Sequence, residues 1–362
     1  MKANEAHTKG VVVVTGASAG LGRSIAREFA ENGYDVALLA RGEDGLKAAK
    51  AEVEAVGQRA VYFTVDVADA TAVERAAEET EKLLGPITVW VNNAMNSVFS
   101  PIKQMQPDEF KRVTEVTYLG QVYGTLAALK RMQPRNKGVI VLVGSALAYR
   151  GIPLQSAYCG AKHAIQGFFD SLRAELLHDK TEVRATMVQL PAMNTTQFGF
   201  VKSRLPNKPK PMGKIYQPEV AARAILYAAE NDRREIYVGY PTVQAILGDK
   251  LLPELGDWVL AKTGFEGQQT SIPDDPNRPN NLWATIPGDH GAHGTFETEA
   301  TDESPQLWLS MHKKELLSTA VAVGAVLLGR MALTKWFGHN GHSKMEANTI
   351  TPKNDIRQSY TF

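Results

Sequence analysis

A tyrosine and a lysine stand four residues apart in the stretch SAYCGAKHA, Ser156 to Ala164. On a helix that spacing puts Tyr158 and Lys162 on one face, a turn apart, and turns Cys159 elsewhere. A phenol moves protons usefully near neutral pH only if its pKa falls from about 10 towards 7, roughly 4 kcal/mol in favour of phenolate. An ammonium about 4 Å away, at an effective dielectric near 20, offers roughly 4 kcal/mol of attraction before desolvation is subtracted. The pair can therefore serve as proton donor and tuner. Cys159, the single cysteine, has no activating histidine on its own side by this reading and is not expected to react.

A second constellation lies near the amino end. TGASAGLG, with Gly16, Gly20 and Gly22, directly follows the apolar run VVVVT and directly precedes RSIAREFAENG, an amphipathic helical pattern. Glycines permit a tight turn and close backbone approach, while a new helix offers unpaired N–H groups and its positive dipole end to a pyrophosphate. Where a site for NAD would carry a carboxylate after the second strand, Arg41 stands instead. A guanidinium suits a 2′-phosphate, so NADP(H) is expected in preference to NAD(H), although Glu43 and Asp44 are also near enough in sequence to pair with it.

The elements that must hold these groups alternate along the chain. Strands are predicted at 11–15, 35–40, 60–65, 87–91, 138–144, 183–190 and 235–239, with longer helical stretches between them. Nearly continuous apolar runs mark strands covered on both faces, so the fold class is α/β, a doubly wound seven-stranded parallel sheet. Residues 1–264 form the predicted catalytic domain. The Pro, Gly, Asn and Asp of 265–310 oppose regular structure and predict an irregular extension. Its aromatic residues Trp283, Phe296 and Trp308 need apolar cover, so it should lie against a surface.

An apolar helix is predicted over 311–337, and a polar tail over 338–362. Its apolar stretch, 316–329, reaches about 21 Å as a helix against roughly 30 Å of bilayer hydrocarbon. Packing on protein and contact of 316–337 with a membrane both stay open; Ala320, Gly324, Ala325 and Gly329 at small-xxx-small spacing suit either.

The 362 residues carry a formal net charge of +1 and are 44% hydrophobic, which allows a sizeable core and gives no field favouring nucleic acid. One cysteine and the lack of an apolar leader in MKANEAHTKG predict a cytoplasmic setting. His290, His293, His339 and His342 sit in glycine-rich stretches without placeable carboxylate or thiol partners, so solvated loop histidines and no metal are expected.

TGASAGLG, the VDV containing Asp66 and Val67, VNNAM at 91–95, Ser145 after the fifth strand and YCGAK, occurring together in this order, resemble the short-chain dehydrogenase/reductase family over about residues 8–240. The resemblance implies a Rossmann fold with strand order 3-2-1-4-5-6-7, hydride transfer between a nicotinamide and a carbonyl or alcohol, and a homo-oligomer. It implies Tyr158 as acid/base, Lys162 as tuner and ribose holder, and Ser145 as positioner of the substrate oxygen. The cofactor residues it implies are Gly16, Ser18, Gly20, Leu21, Gly22, Arg41, Asp66 for the adenine amine, Val67, Asn93, Ala94, Tyr158, Lys162, Pro191, Thr195 and Thr196, with Asn92 beside them on the cleft.

Four positions depart from the family pattern: NNAM ends in Met95 where glycine is usual, Thr117 stands for a relay asparagine, Ala192 follows Pro191, and Ala19 replaces a basic loop residue. Residues 194–216 fall where the family carries a substrate lid, and Phe198, Phe200 and Leu205 could cover a hydrophobic carbonyl or alcohol. The alternative, which Thr117 and Met95 suggest, is a nucleotide-binding sensor or scaffold with weak or lost turnover.

Overall fold

The computed structural model describes residues 8–342, except for the side chains at 314, 317, 320, 329 and 332–342. Seven parallel strands form the central sheet: β1 (Gly10–Thr15), β2 (Tyr34–Ala40), β3 (Ala60–Thr64), β4 (Ile87–Asn92), β5 (Gly138–Val143), β6 (Val183–Gln189) and β7 (Glu235–Tyr237). Their spatial order is 3-2-1-4-5-6-7, as expected. Each strand falls within two residues of its predicted place, because β-branched runs flanked on both faces leave little choice of structure.

Helix α1 (Gly20–Glu31) packs against α2 (Glu43–Ala55) and against the helix Pro218–Glu230 on one face of the sheet. On the other face α3 (Ala70–Leu84) packs against α5 (Gly120–Met132), and α4 (Pro107–Thr114) against α6 (Ser156–His178). The valines of β1 and the indole of Trp90 are buried between these layers, and Trp90 donates its Nε1 hydrogen to Asn92 Oδ1 at 2.9 Å. Reversal of strand order between β1 and β4 opens a crevice at the carboxyl edge, where ligands bind in such sheets.

The extension is more ordered than its composition predicts. Gln269–Pro273 pairs antiparallel with Asn207–Pro209 of the lid region, and Ala300–Thr301 joins Ile215–Tyr216, which in turn pairs with Ala192–Met193. Thr270 and Ile272 supply local β preference, but the pairing partners come from the lid, which composition cannot show. Of the three aromatics expected to be covered, only Phe296 is buried; Trp283 and Trp308 are both about half exposed, at 52%.

The chain divides into two compact units, Met1–Trp308 and Leu309–Phe362. The second contains a helix, Lys313–His342, into which His339 and His342 fall, so the expectation of a loop there is corrected. Among the described residues, no helix is long and apolar enough to cross a membrane. The polar tail beyond 342 lies outside the described residues.

Candidate active site

The cleft at the carboxyl edge begins with the glycine loop. Gly16 has φ +70°, and a Cβ on Gly22 would lie 2.0 Å from the Gly16 carbonyl oxygen, so the turn closes only with glycine there. No side chain caps α1, although the N–H of its first residue, Gly20, is taken by a backbone carbonyl of the extension. Asn93 ties the loop to β4: its amide nitrogen donates to Thr15 O at 2.8 Å, and its backbone N–H to Thr15 Oγ1 at 2.9 Å. Arg23, buried one turn into the helix, donates to Ser18 O, Gly45 O, Glu52 and Asp289. Burial opposes ionisation of the Glu52 carboxyl, but hydrogen bonds from Arg27 and Arg23 outweigh it and hold the pKa at about 2.

Gly16, Ser18, Gly20, Leu21, Gly22, Arg41, Asp66, Val67, Asn93, Ala94, Ser145, Tyr158, Lys162, Pro191, Thr195 and Thr196 all line one cavity of about 780 Å³. Met95 lines it too. Asn92 does not: its side chain is buried between Trp90 and Thr125, so its expected place on the cleft is corrected. Asp66 Oδ1 accepts from the Ala68 N–H at 3.0 Å, and Oδ2 is ion-paired to Arg112.

Ser145 caps a short turn after β5, accepting from the Leu147 N–H at 3.1 Å. Tyr158 and Lys162 project from the first turns of α6 on one face. Lys162 is fully buried; Nζ donates to Val143 O at 2.6 Å and lies 5.5 Å from the centre of the Tyr158 ring. Burial pushes the Tyr158 phenol up, and the Ser145 hydroxyl works in the opposite direction. Burial also lowers Lys162, to about 7, with no carboxylate to offset it. Within the protein alone the opposing influence on the phenol therefore comes from Ser145, a contribution that the sequence reading gave to Lys162.

Cys159 is buried and its thiol pKa is raised by burial. His163 does stand one turn away, contrary to the sequence reading, but its Nδ1 meets the Cys159 carbonyl oxygen at 2.8 Å, not the sulfur. Thr117 falls in a π-helical turn, Glu115–Leu119, and its hydroxyl is committed: it donates to Asn96 O at 2.9 Å and accepts from Asn96 N at 3.1 Å.

Of the residues expected to cover the substrate, Phe198 and Phe200 line the cavity, whereas Leu205 is buried away from it in a cluster with Phe99, Leu154 and Val201. The extension supplies a wall that the sequence reading missed. Asn281, Thr285, Ile286 and His290 line the cavity, and Gly291 O accepts from Gly20 N at 2.9 Å. His290 packs against Phe200 with ring centres 5.3 Å apart. His293 lies between Glu219 at 3.0 Å and Glu297 at 2.8 Å, and these carboxylates raise its pKa against the effect of burial. Both loop histidines thus have partners that the sequence could not place, His290 the ring of Phe200 and His293 two carboxylates, although His293 stays exposed to solvent as expected. Among the described residues no group of three or more His, Cys, Asp or Glu could hold a metal. One signal was legible: Leu282, Trp283 and Ile286 are apolar residues interrupting a polar stretch.

At the other end, the helices Tyr240–Leu251 and Pro253–Thr263 add a wall containing Ala245, Gly248, Leu252, Leu255, Val259 and Leu260. Arg150 pins these helices, donating to Asp249 at 3.0 Å and to Asp257.

A sequence model of the family described as short chain dehydrogenase matches residues 10–204. An uncharacterized oxidoreductase, YxnA, of Bacillus subtilis (strain 168) is 32% identical over 87% of this chain and 88% of its own. The 3-dehydrosphinganine reductase of Danio rerio is 33% identical over 62% of this chain and 69% of its own. Among solved structures, an alcohol dehydrogenase from the archaeon Thermococcus sibiricus complexed with 5-hydroxy-NADP superposes with a TM-score of 0.55 at 28% identity, covering 63% of this chain and 94% of that one.

Proposed function

The chain belongs to the short-chain dehydrogenase/reductase family, and from that premise we propose that it is an NADP(H)-dependent oxidoreductase interconverting a hydrophobic carbonyl and its alcohol. The observation that carries this reading is the convergence of Ser145, Tyr158 and Lys162 on the same cavity as the glycine loop and Arg41. The chain's own residues fit a dinucleotide. The uncapped start of α1 and the Gly16–Gly22 approach suit a pyrophosphate, and the cation of Arg41 suits a 2′-phosphate.

The nicotinamide, when bound, supplies or takes the hydride. Ser145 holds the substrate oxygen by a hydrogen bond from its hydroxyl, and Tyr158 passes its phenolic proton to that oxygen during reduction, or accepts it during oxidation. Lys162 stands behind the ring and stabilises the phenolate as it forms. Asn93, Ala94, Pro191, Thr195 and Thr196 shape the nicotinamide pocket. Leu147, Ile152, Phe198, Met212, Leu252, Leu255, Val259 and Leu260 form the substrate wall, which agrees with the likeness to a 3-dehydrosphinganine reductase.

A second reading, a dinucleotide sensor without efficient turnover, draws on the closed Thr117–Asn96 hydrogen bonds. The test is NADPH oxidation with aliphatic, aromatic and steroid-like ketones, with Tyr158→Phe run beside the wild type. Turnover abolished by that substitution supports the enzyme; NADPH binding without consumption across the panel selects the sensor.

A further inference from the structure

We propose that the segment Asn281-Leu282-Trp283 of the extension is a positioning element that sets the preference for a 2′-phosphorylated dinucleotide; this rests on the assignment of the cleft to NADP(H). Arg41 leaves the end of β2, where nothing local fixes its long side chain, and an arginine with free rotamers loses much of its affinity to ordering. Here three consecutive carbonyls fix it. Its Nη2 donates to Asn281 O at 2.5 Å, and its Nη1 to Trp283 O at 3.2 Å and to Leu282 O at 3.5 Å.

Leu282 is the anchor of that triplet. Its side chain is fully buried, in a cluster with Val98, Val113 and Ala157, so its carbonyl cannot drift. The same carbonyl accepts from Arg112 Nε at 3.2 Å, and Arg112 in turn is ion-paired to Asp66. One buried leucine thereby orders both guanidinium groups at the adenosine end.

The chemistry of the acceptors points to the ligand. Carbonyls are neutral, so they orient Arg41 without cancelling its charge, and no carboxylate among the described residues forms a salt bridge with it. The carboxylate that acts on it, that of Asp66, is ion-paired to Arg112. Nε has no hydrogen-bond partner among the described residues, and Nη2 has one acceptor for its two N–H groups, so donors stay available on that edge for phosphate oxygens. Arg41 lines the cavity, so a phosphate on the ribose can reach it.

The experiment is calorimetric titration of the full chain with 2′-phospho-ADP-ribose and with ADP-ribose, which needs no turnover. Wild type is expected to bind the phosphorylated ligand about 30-fold more tightly. Leu282→Ala is expected to cut that ratio about tenfold while moving ADP-ribose affinity less than threefold, and Leu282→Met, which refills the anchor pocket, is expected to restore it. If Leu282→Ala does not fold, Leu282→Val is expected to lower the ratio about threefold. An unchanged ratio in the folded variant, or equal loss of both ligands, overturns the proposal. A wild type that binds neither ligand, or binds both equally, removes instead the NADP(H) reading on which the proposal stands.

Discussion

Two cations mark opposite ends of one cleft, and they are held in opposite ways. Lys162 is fully buried with a single carbonyl partner, Val143 O, and burial pulls its pKa down to about 7. Arg41 is half-buried and held by three carbonyls from a segment some 240 residues further along the chain. A buried ammonium with one neutral partner can change its protonation near neutral pH, which suits a group that supports proton transfer. A guanidinium cannot deprotonate, so fixing it in place yields geometry and selectivity instead. Under the proposed function the catalytic end would keep a charge that can be switched, and the adenosine end one that can only be aimed.

The sharpest way to break this contrast is at the catalytic end. Tyr158→Phe removes the transferred proton and is expected to lower kcat about a thousandfold while NADPH affinity, read by fluorescence quenching, stays within a few-fold. An equal loss of binding would mean that the phenol belongs to the cofactor site more than to the chemistry. At the other end, Arg41→Ala is expected to raise KM for NADPH about 30-fold and leave that for NADH unchanged. Equal effects on both cofactors would erase the assignment of the adenosine end to selectivity.

The titration of Lys162 gives a third test. Its folded pKa near 7 lies below the unfolded value, so between the two the unfolded chain binds more protons and stability rises with pH. The cost of burying the charge is complete below the folded value and disappears as pH approaches the unfolded one. Denaturant unfolding of the cofactor-free protein should show a gain of about 2 kcal/mol from pH 7 to 9 that Lys162→Met flattens. The smallest effect is expected on the substrate wall. A Cβ on Gly248 would meet nothing within 4 Å, so Gly248→Leu can fold and project into the cavity. It should lower kcat/KM for bulky ketones about fivefold and spare small ones, which a two-substrate comparison checks.

The sheet was legible because β-branched runs such as VVVVT and GVIVLV carry their own burial signal. Tyr158, Lys162 and the glycine loop were legible because their spacing is local: one helix turn, one strand-to-helix turn. What escaped was long-range. Arg41 could be read as a phosphate ligand, but not as the partner of three carbonyls supplied by a polar stretch with no periodicity. Leu205 reads as substrate cover in the sequence, which shows that a residue is apolar but not which way it faces, and it faces the body. His290 and His293 looked idle for the same reason: Phe200 and Glu219 reach them only through the fold.

The hydrogen bond from Gly20 to Gly291 and the carbonyls around Arg41 bear on how the protein is made. During synthesis the sheet's first two strands emerge long before residues 281–291, so an unfinished chain can hold a Rossmann core whose nucleotide end is still open. Closure of that end must wait for contacts of very high sequence separation, which form late. Under the proposed function, a ribosome-stalled chain ending before the extension would lack the carbonyls that hold Arg41, and discrimination between the two nicotinamide cofactors would arrive as one of the last events of biosynthesis.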